Sequence, residues 1–265
     1  MKQSLAHEIL VGLCAVKNGS SSALGKIEPI TPRVNYIFDT LIDLGLADKL
    51  NADIFNDSYD KTETLYYMNI EVKFDMGTDT SVMFIAHHDV NNPHSDNCQD
   101  NSASVSNLLS LAQHFRENPP TKTVHIVFTD CEEFGGDGAK RLSDRINEGA
   151  FGTVDYVVNL ELTANGSNLW MDAENFEKEN SELVNILNEN GEFTSVRTPF
   201  NDSVVLRKHE IDSVCIGTLL NKDFEQVLAK GYCETWSLCH KAKDSIDNAV
   251  ATDMDNFVEF LIKLV

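Results

Sequence analysis

The sequence predicts an α/β protein, and three observations carry that expectation. Apolar runs at residues 81–86, 123–129, 154–160 and 213–219 have the length and composition of strands buried on both faces. Segments whose apolar residues recur at helical spacing lie between and around them. Polar side chains gather where three of these runs end, the position at which open α/β sheets hold their ligands.

The elements follow in order. Residues 3–16 place Leu5, Ile9, Leu10 and Leu13 on one helical face, and the Asn18 to Ser22 cluster ends that helix. Thr31 caps a second helix with Pro32 in its first turn, and Val34, Ile37, Phe38, Leu41 and Leu44 recur before Gly45. Residues 65–74 alternate and are rich in Tyr, Ile and Val, which predicts a half-buried strand at a hairpin or sheet edge, with 76–80 as its turn. Helical patterns then cover 103–115, 180–187 and 254–265. With no internal repeat, low-complexity tract or linker-like shift in composition, one domain over residues 1–265 is expected.

Composition removes several function classes. Acidic residues number 42 against 21 Lys plus Arg, a net charge of -21 that argues against nucleic acid and anionic membrane as partners. No apolar run approaches the roughly 18 residues that span a bilayer, and the first residues lack the pattern of a secretory leader, so a soluble, cytoplasmic protein is expected. The six cysteines form no CxxC pair. They are expected to be mostly buried and reduced, Cys233 and Cys239 included despite their proximity in sequence.

The chemistry sits at the strand ends. In FIAHHDV, His87 ends a strand as an imidazole suited to a metal, and Asp89, two residues on, can fix its other nitrogen. In CQDNSASV, Asp100 and Asn101 open a helix. An N-cap explains them alone, whereas in a two-metal site Asp100 is the candidate bridge. In FTDCEEFGGDGA, two adjacent carboxylates repel at a buried strand end. That cost is tolerable if a metal neutralises Glu133 while Glu132 exchanges a proton with water as general base. Gly135, Gly136 and Gly138 let the backbone turn tightly behind them. Glu161 ends another apolar run and needs a cation or hydrogen-bond partners there. His240 lies in a polar loop before the last helix and gains meaning only from the combination.

Taken in order, these motifs resemble the zinc aminopeptidase family that includes secreted bacterial leucyl aminopeptidases, glutamate carboxypeptidase II and animal-type glutaminyl cyclases. The resemblance runs from Ser81 to Asp247. It implies a three-layer α/β sandwich with a mixed, mainly parallel sheet. It also implies zinc, two ions per chain with one as the alternative: the first held by His87, Asp100 and Glu161, the second by Asp100, Glu133 and His240. Glu132 is then the base and Asp89 the group that orients His87. Glu161 stands where most aminopeptidases of that family have Asp, Glu210 to Ser213 replaces a Gly-Ile-Pro or Gly-Tyr-Pro segment, and Lys241 follows His240 where Thr or Ser is common. The implied function is an aminopeptidase acting on short peptides or amino-acid derivatives. A glutaminyl cyclase and a non-catalytic metal-binding homologue are the alternatives.

Overall fold

The computed structural model describes residues 4–16, 30–56, 66–176 and 182–265. The parts of the expected elements at Gln3, Asn18 to Ser22, Leu65 and Asn180 fall outside them. The described residues form one mixed sheet of eight strands, ordered β1-β2-β4-β3-β5-β8-β6-β7. The four central strands, β4 (Thr123–Thr129), β3 (Thr80–His87), β5 (Thr153–Leu160) and β8 (Ser213–Leu219), are mutually parallel. On one side β2 (Tyr66–Phe74) and β1 (Leu50–Asn56) add antiparallel. On the other side β6 (Asn168–Asp172) runs antiparallel to β8, and β7 (Phe193–Val196) parallel to β6. β2 is therefore interior, not an edge. β4 and β1 pair with its two edges, and Met68, Ile70, Val72 and Phe74 pack into the core on one face.

Side chains of a strand point alternately to its two faces, and here both faces are apolar. Val82, Phe84, Ala86, Ile126, Phe128 and Val158 meet one helical layer, which contains α1 (Leu5–Ala15), α2 (Pro32–Asp43), α3 (Ala103–Glu117) and α9 (Ala251–Ile262). Met83, Ile85, Val127 and Val157 meet Leu142 and Leu206 on the other face. Those two leucines belong to α4 (Asp137–Asn147) and α7 (Asp202–Lys208). Three short or polar helices complete the set: α5 (Ala173–Phe176), α6 (Glu182–Asn190) and α8 (Asn221–Lys230). The result is helix, sheet, helix.

Local chemistry starts the helices as expected. Thr31 accepts from the Val34 amide at 3.1 Å with Pro32 in the first turn, and Ser4 accepts from His7 at 3.2 Å. Among the described residues no helix is long and apolar enough to cross a membrane. All six cysteines are free, five of them buried.

The registers fix where the site lies. His87 pairs with Thr129 across β3 and β4, and Ile85 with Asn159 across β3 and β5, so the three strands end at one edge of the sheet. That edge delivers His87, the Glu132–Glu133 turn and Glu161.

Candidate metal centre

Two clusters of ligand atoms share Asp100. His87, Asp100 and Glu161 form one, and Asp100, Glu133 and His240 the other, with the atoms of each within 4.8 Å of one another. His87 Nε2 lies 3.2 Å from Asp100 Oδ1 and 3.6 Å from Glu161 Oε2. His240 Nε2 lies 3.1 Å from Asp100 Oδ2 and 2.9 Å from Glu133 Oε2. Asp100 thus turns one oxygen to each imidazole.

Each position has a local cause. Asp100 departs from helical geometry in the π-turn at Cys98–Ser102 that precedes α3, so its carboxylate does not cap that helix. Its backbone amide and that of Gln99 donate to the two oxygens of Asp244, at 3.1 and 2.8 Å, and Asn101 Nδ2 reaches the Leu160 carbonyl at 2.9 Å. The loop is pinned both to the His240 segment and to the end of β5. Asp89, fully buried, receives His87 Nδ1 at 3.2 Å and the amides of Glu132 and Glu133, each at 3.1 Å. One carboxylate orients the imidazole and fixes the backbone of the acidic pair. His88 faces away, its Nε2 2.9 Å from the Met68 carbonyl. Asp130 is also structural, accepting from Met68 and Cys131 amides at 3.0 and 2.9 Å.

Cys131, Leu162 and His240 all have positive φ, at 62°, 58° and 63°. Left-handed backbone at non-glycine residues costs about 1–3 kcal/mol each and gathers at functional sites. Here it flanks Glu132, follows Glu161, and falls on His240 itself. Glu161 keeps its place despite the extra methylene relative to Asp, with Asn159 Nδ2 3.4 Å from Oε1 and Oε2 left toward His87.

The electrostatics call for a cation. Burial pushes the Glu132 carboxyl well above its ordinary range, and pushes Glu133 up to about 7, helped by the charge of Asp100. Burial works against a charged His87, but the charge of Glu161 and hydrogen bonds to Asp100 and Asp89 outweigh it and raise that imidazole. Hydrogen bonds to Asp100 and Glu133 lift His240 to about 10. Protonated imidazoles thus offset part of the carboxylate charge in the isolated chain. Glu133 Oε1 is buried without a hydrogen-bond partner. Imidazole and carboxylate donors, a histidine whose far nitrogen is held by a buried Asp, and an orphaned carboxylate oxygen together fit a bound divalent cation.

The clusters floor a cavity of about 370 Å³. Its lining holds Asp100, Glu132, Glu133, Glu161, His87 and His240, the apolar surfaces of Leu162, Trp170, Pro199, Phe200 and Trp236, and no Lys or Arg. Sequence reasoning missed the two tryptophans, since each sits in a short segment with no periodicity. It also missed Arg33, which follows Pro32 in α2 and belongs to no motif. Arg33 is 1 % exposed, and burial lowers it to about 10. Its guanidinium donates to the His88 carbonyl at 2.5 Å and to Ser102 Oγ at 2.8 Å, joining the β3 end to the Asp100 loop.

Residues 69–265 match the model of peptidase family M28. The chain belongs to that family. Over 150 residues, 54% of this M28 chain, it is 32% identical to a vacuolar membrane protease of Kluyveromyces lactis, and the match spans 16% of that relative's length. Among solved structures it is similar to a Bacteroides thetaiotaomicron leucine aminopeptidase precursor, with TM-score 0.73 and 17% identity over 98% of this chain and 95% of that one. A Fimbriiglobus ruber glutaminyl cyclase matches with TM-score 0.76 and 15% identity over 98% and 93%. The zinc aminopeptidase of Bacillus subtilis matches with TM-score 0.63 and 17% identity over 76% of this chain and 49% of its own. These likenesses establish the fold as that of the zinc-exopeptidase group.

Proposed function

We propose that this M28 peptidase is a zinc-dependent aminopeptidase that removes the first residue of short peptides. One observation supports this reading above the others: an acidic cleft, free of Lys and Arg, in which two imidazole–carboxylate clusters share Asp100 beside the buried Glu132. Glu132, the lining carboxylate not assigned to zinc, gives a terminal ammonium a partner, and the lining has no Lys or Arg to pair a free carboxylate, which favours an aminopeptidase over a carboxypeptidase.

His87, Asp100 and Glu161 would hold one zinc, and Asp100, Glu133 and His240 the second. When bound, zinc polarises the scissile carbonyl and makes nearby water more acidic. Asp89 holds His87 in the orientation that leaves Nε2 toward Asp100 and Glu161, and holds the Glu132 backbone through its amide. Glu132 takes a proton as water adds to the carbonyl carbon, and returns it to the nitrogen when the C–N bond breaks. A carboxylate raised by burial is a stronger base than an exposed one, which suits Glu132 to both transfers. The indoles, Leu162 and Phe200 give an apolar substrate side chain a place to shed water.

The test is a panel of peptides beginning with Leu, offered free and N-acetylated, with metal content measured in parallel. Zinc near two equivalents and release of leucine from the free peptides alone are expected. Cleavage of acetylated peptides at equal rate would contradict recognition of the terminal amine. Cyclisation of N-terminal glutamine without hydrolysis would assign the site to a cyclase instead.

A further inference from the structure

The catalytic cleft does not end at its acidic floor. Thr198, Pro199 and Trp236 line both that cleft and an adjoining groove of about 300 Å³, which also contains Gly231, Tyr232 and Arg197. Arg197 is the single charged side chain of the groove lining. It is exposed, and it also lines a neighbouring pocket that holds Asp172 and Glu174, Glu174 being paired with Arg207 at 3.1 Å. A cation beside the cleft stands out in a chain with 42 acidic residues against 21 basic ones.

We propose that Arg197 is a specificity residue that receives the C-terminal carboxylate of a short peptide whose N-terminus lies on the acidic floor. The proposal rests on the aminopeptidase reading and narrows its substrates to free peptides of a few residues. The two ends of the site carry opposite charges, as the two ends of such a peptide do. The floor leaves Glu132, outside the proposed zinc ligands, to an ammonium, and the groove offers one guanidinium to a carboxylate. Arg197 stands two residues from Pro199 in sequence, and Pro199 walls both the cleft and the groove, so the groove adjoins the cleft there. The residues shared by both cavities, Thr198, Pro199 and Trp236, are uncharged.

The experiment compares peptides Leu-(Gly)n of increasing length as free acids and as C-terminal amides, on zinc-loaded wild type and Arg197 variants. For wild type the acid of best length has a KM about twofold to fivefold below its amide, the upper part of the range for an exposed Arg–carboxylate pair. Arg197→Ala brings the acid-to-amide ratio of kcat/KM to about one, Arg197→Lys keeps part of it, and Arg197→Glu inverts it. Because the ratio is internal to each variant, partial misfolding does not move it. Equal use of acids and amides by wild type overturns the proposal and leaves the aminopeptidase reading intact, as does a ratio that survives in Arg197→Ala. Release of nothing from any peptide by zinc-loaded wild type overturns the reading and the proposal together.

Discussion

At the scale of single residues, the site separates ligands from the groups that hold them. Asp89 touches His87, Glu132 and Glu133 at once, so Asp89→Asn replaces one acceptor oxygen with a donor facing groups that themselves donate. A fall of about 10–100-fold in zinc affinity or activity is expected, read by metal titration and kcat/KM; wild-type values for both would refute its positioning role. His240 gives a pH prediction. Its folded-state value near 10 in the cation-free chain lies above the ordinary 6.5, so the imidazole is protonated at neutral pH. Zinc must displace that proton, and affinity falls by about tenfold per pH unit for each proton lost as pH drops. Calorimetry in buffers of different ionisation enthalpy detects the released proton, and enthalpies independent of buffer would contradict it. His87, Glu132, Glu133 and Glu161 were legible as candidates because each lies at the end of an apolar run, whereas Asp100 and His240 lie in polar segments and gained their place only from the order of the motifs. Arg33 was not, since it acts through groups that only the folded chain brings near, 55 residues away for the His88 carbonyl.

At the scale of elements, the strands buried on both faces were the most legible, because a continuous apolar run admits few other readings. β1 escaped because its residues are half-buried or exposed, and β6 and β7 are too short, at five and four residues, to show a period. β2 was read as an edge because alternation resembles half-burial, and β1, unseen in the sequence, covers its outer side. The glycines behind Glu133 divide into two kinds. Gly135 and Gly136 adopt positive φ, whereas Gly138 is needed for closeness: a Cβ there would stand 2.1 Å from the Asp130 carbonyl oxygen and 2.7 Å from its nitrogen. Backbone cannot yield as a side chain tip can. Gly138→Ala is therefore expected to push α4 away from the Glu132–Glu133 turn and cost about 1–3 kcal/mol, seen as a lowered denaturation midpoint with reduced turnover. An unchanged midpoint would show that the turn and α4 are not coupled through this contact.

At the scale of the whole molecule, one sheet edge gathers four carboxylates into a cavity of a chain that already carries a charge of -21. Like charges held together destabilise the fold unless cations offset them. Chelation is expected to lower the melting temperature, and zinc at a thousand times its dissociation constant to restore about 4 kcal/mol. Calorimetric melting with and without chelator checks this, and coincident curves would contradict a structural coupling of metal to fold. The central claim is that the edge holds metal through five side chains while Glu132, beside them, moves the proton. Zinc content and leucine release, measured together on wild type and Glu132→Gln, test it most directly. Equal zinc in the two proteins and turnover reduced by about 10²–10⁴-fold in the variant are expected. Near-equal turnover at equal zinc content would contradict it.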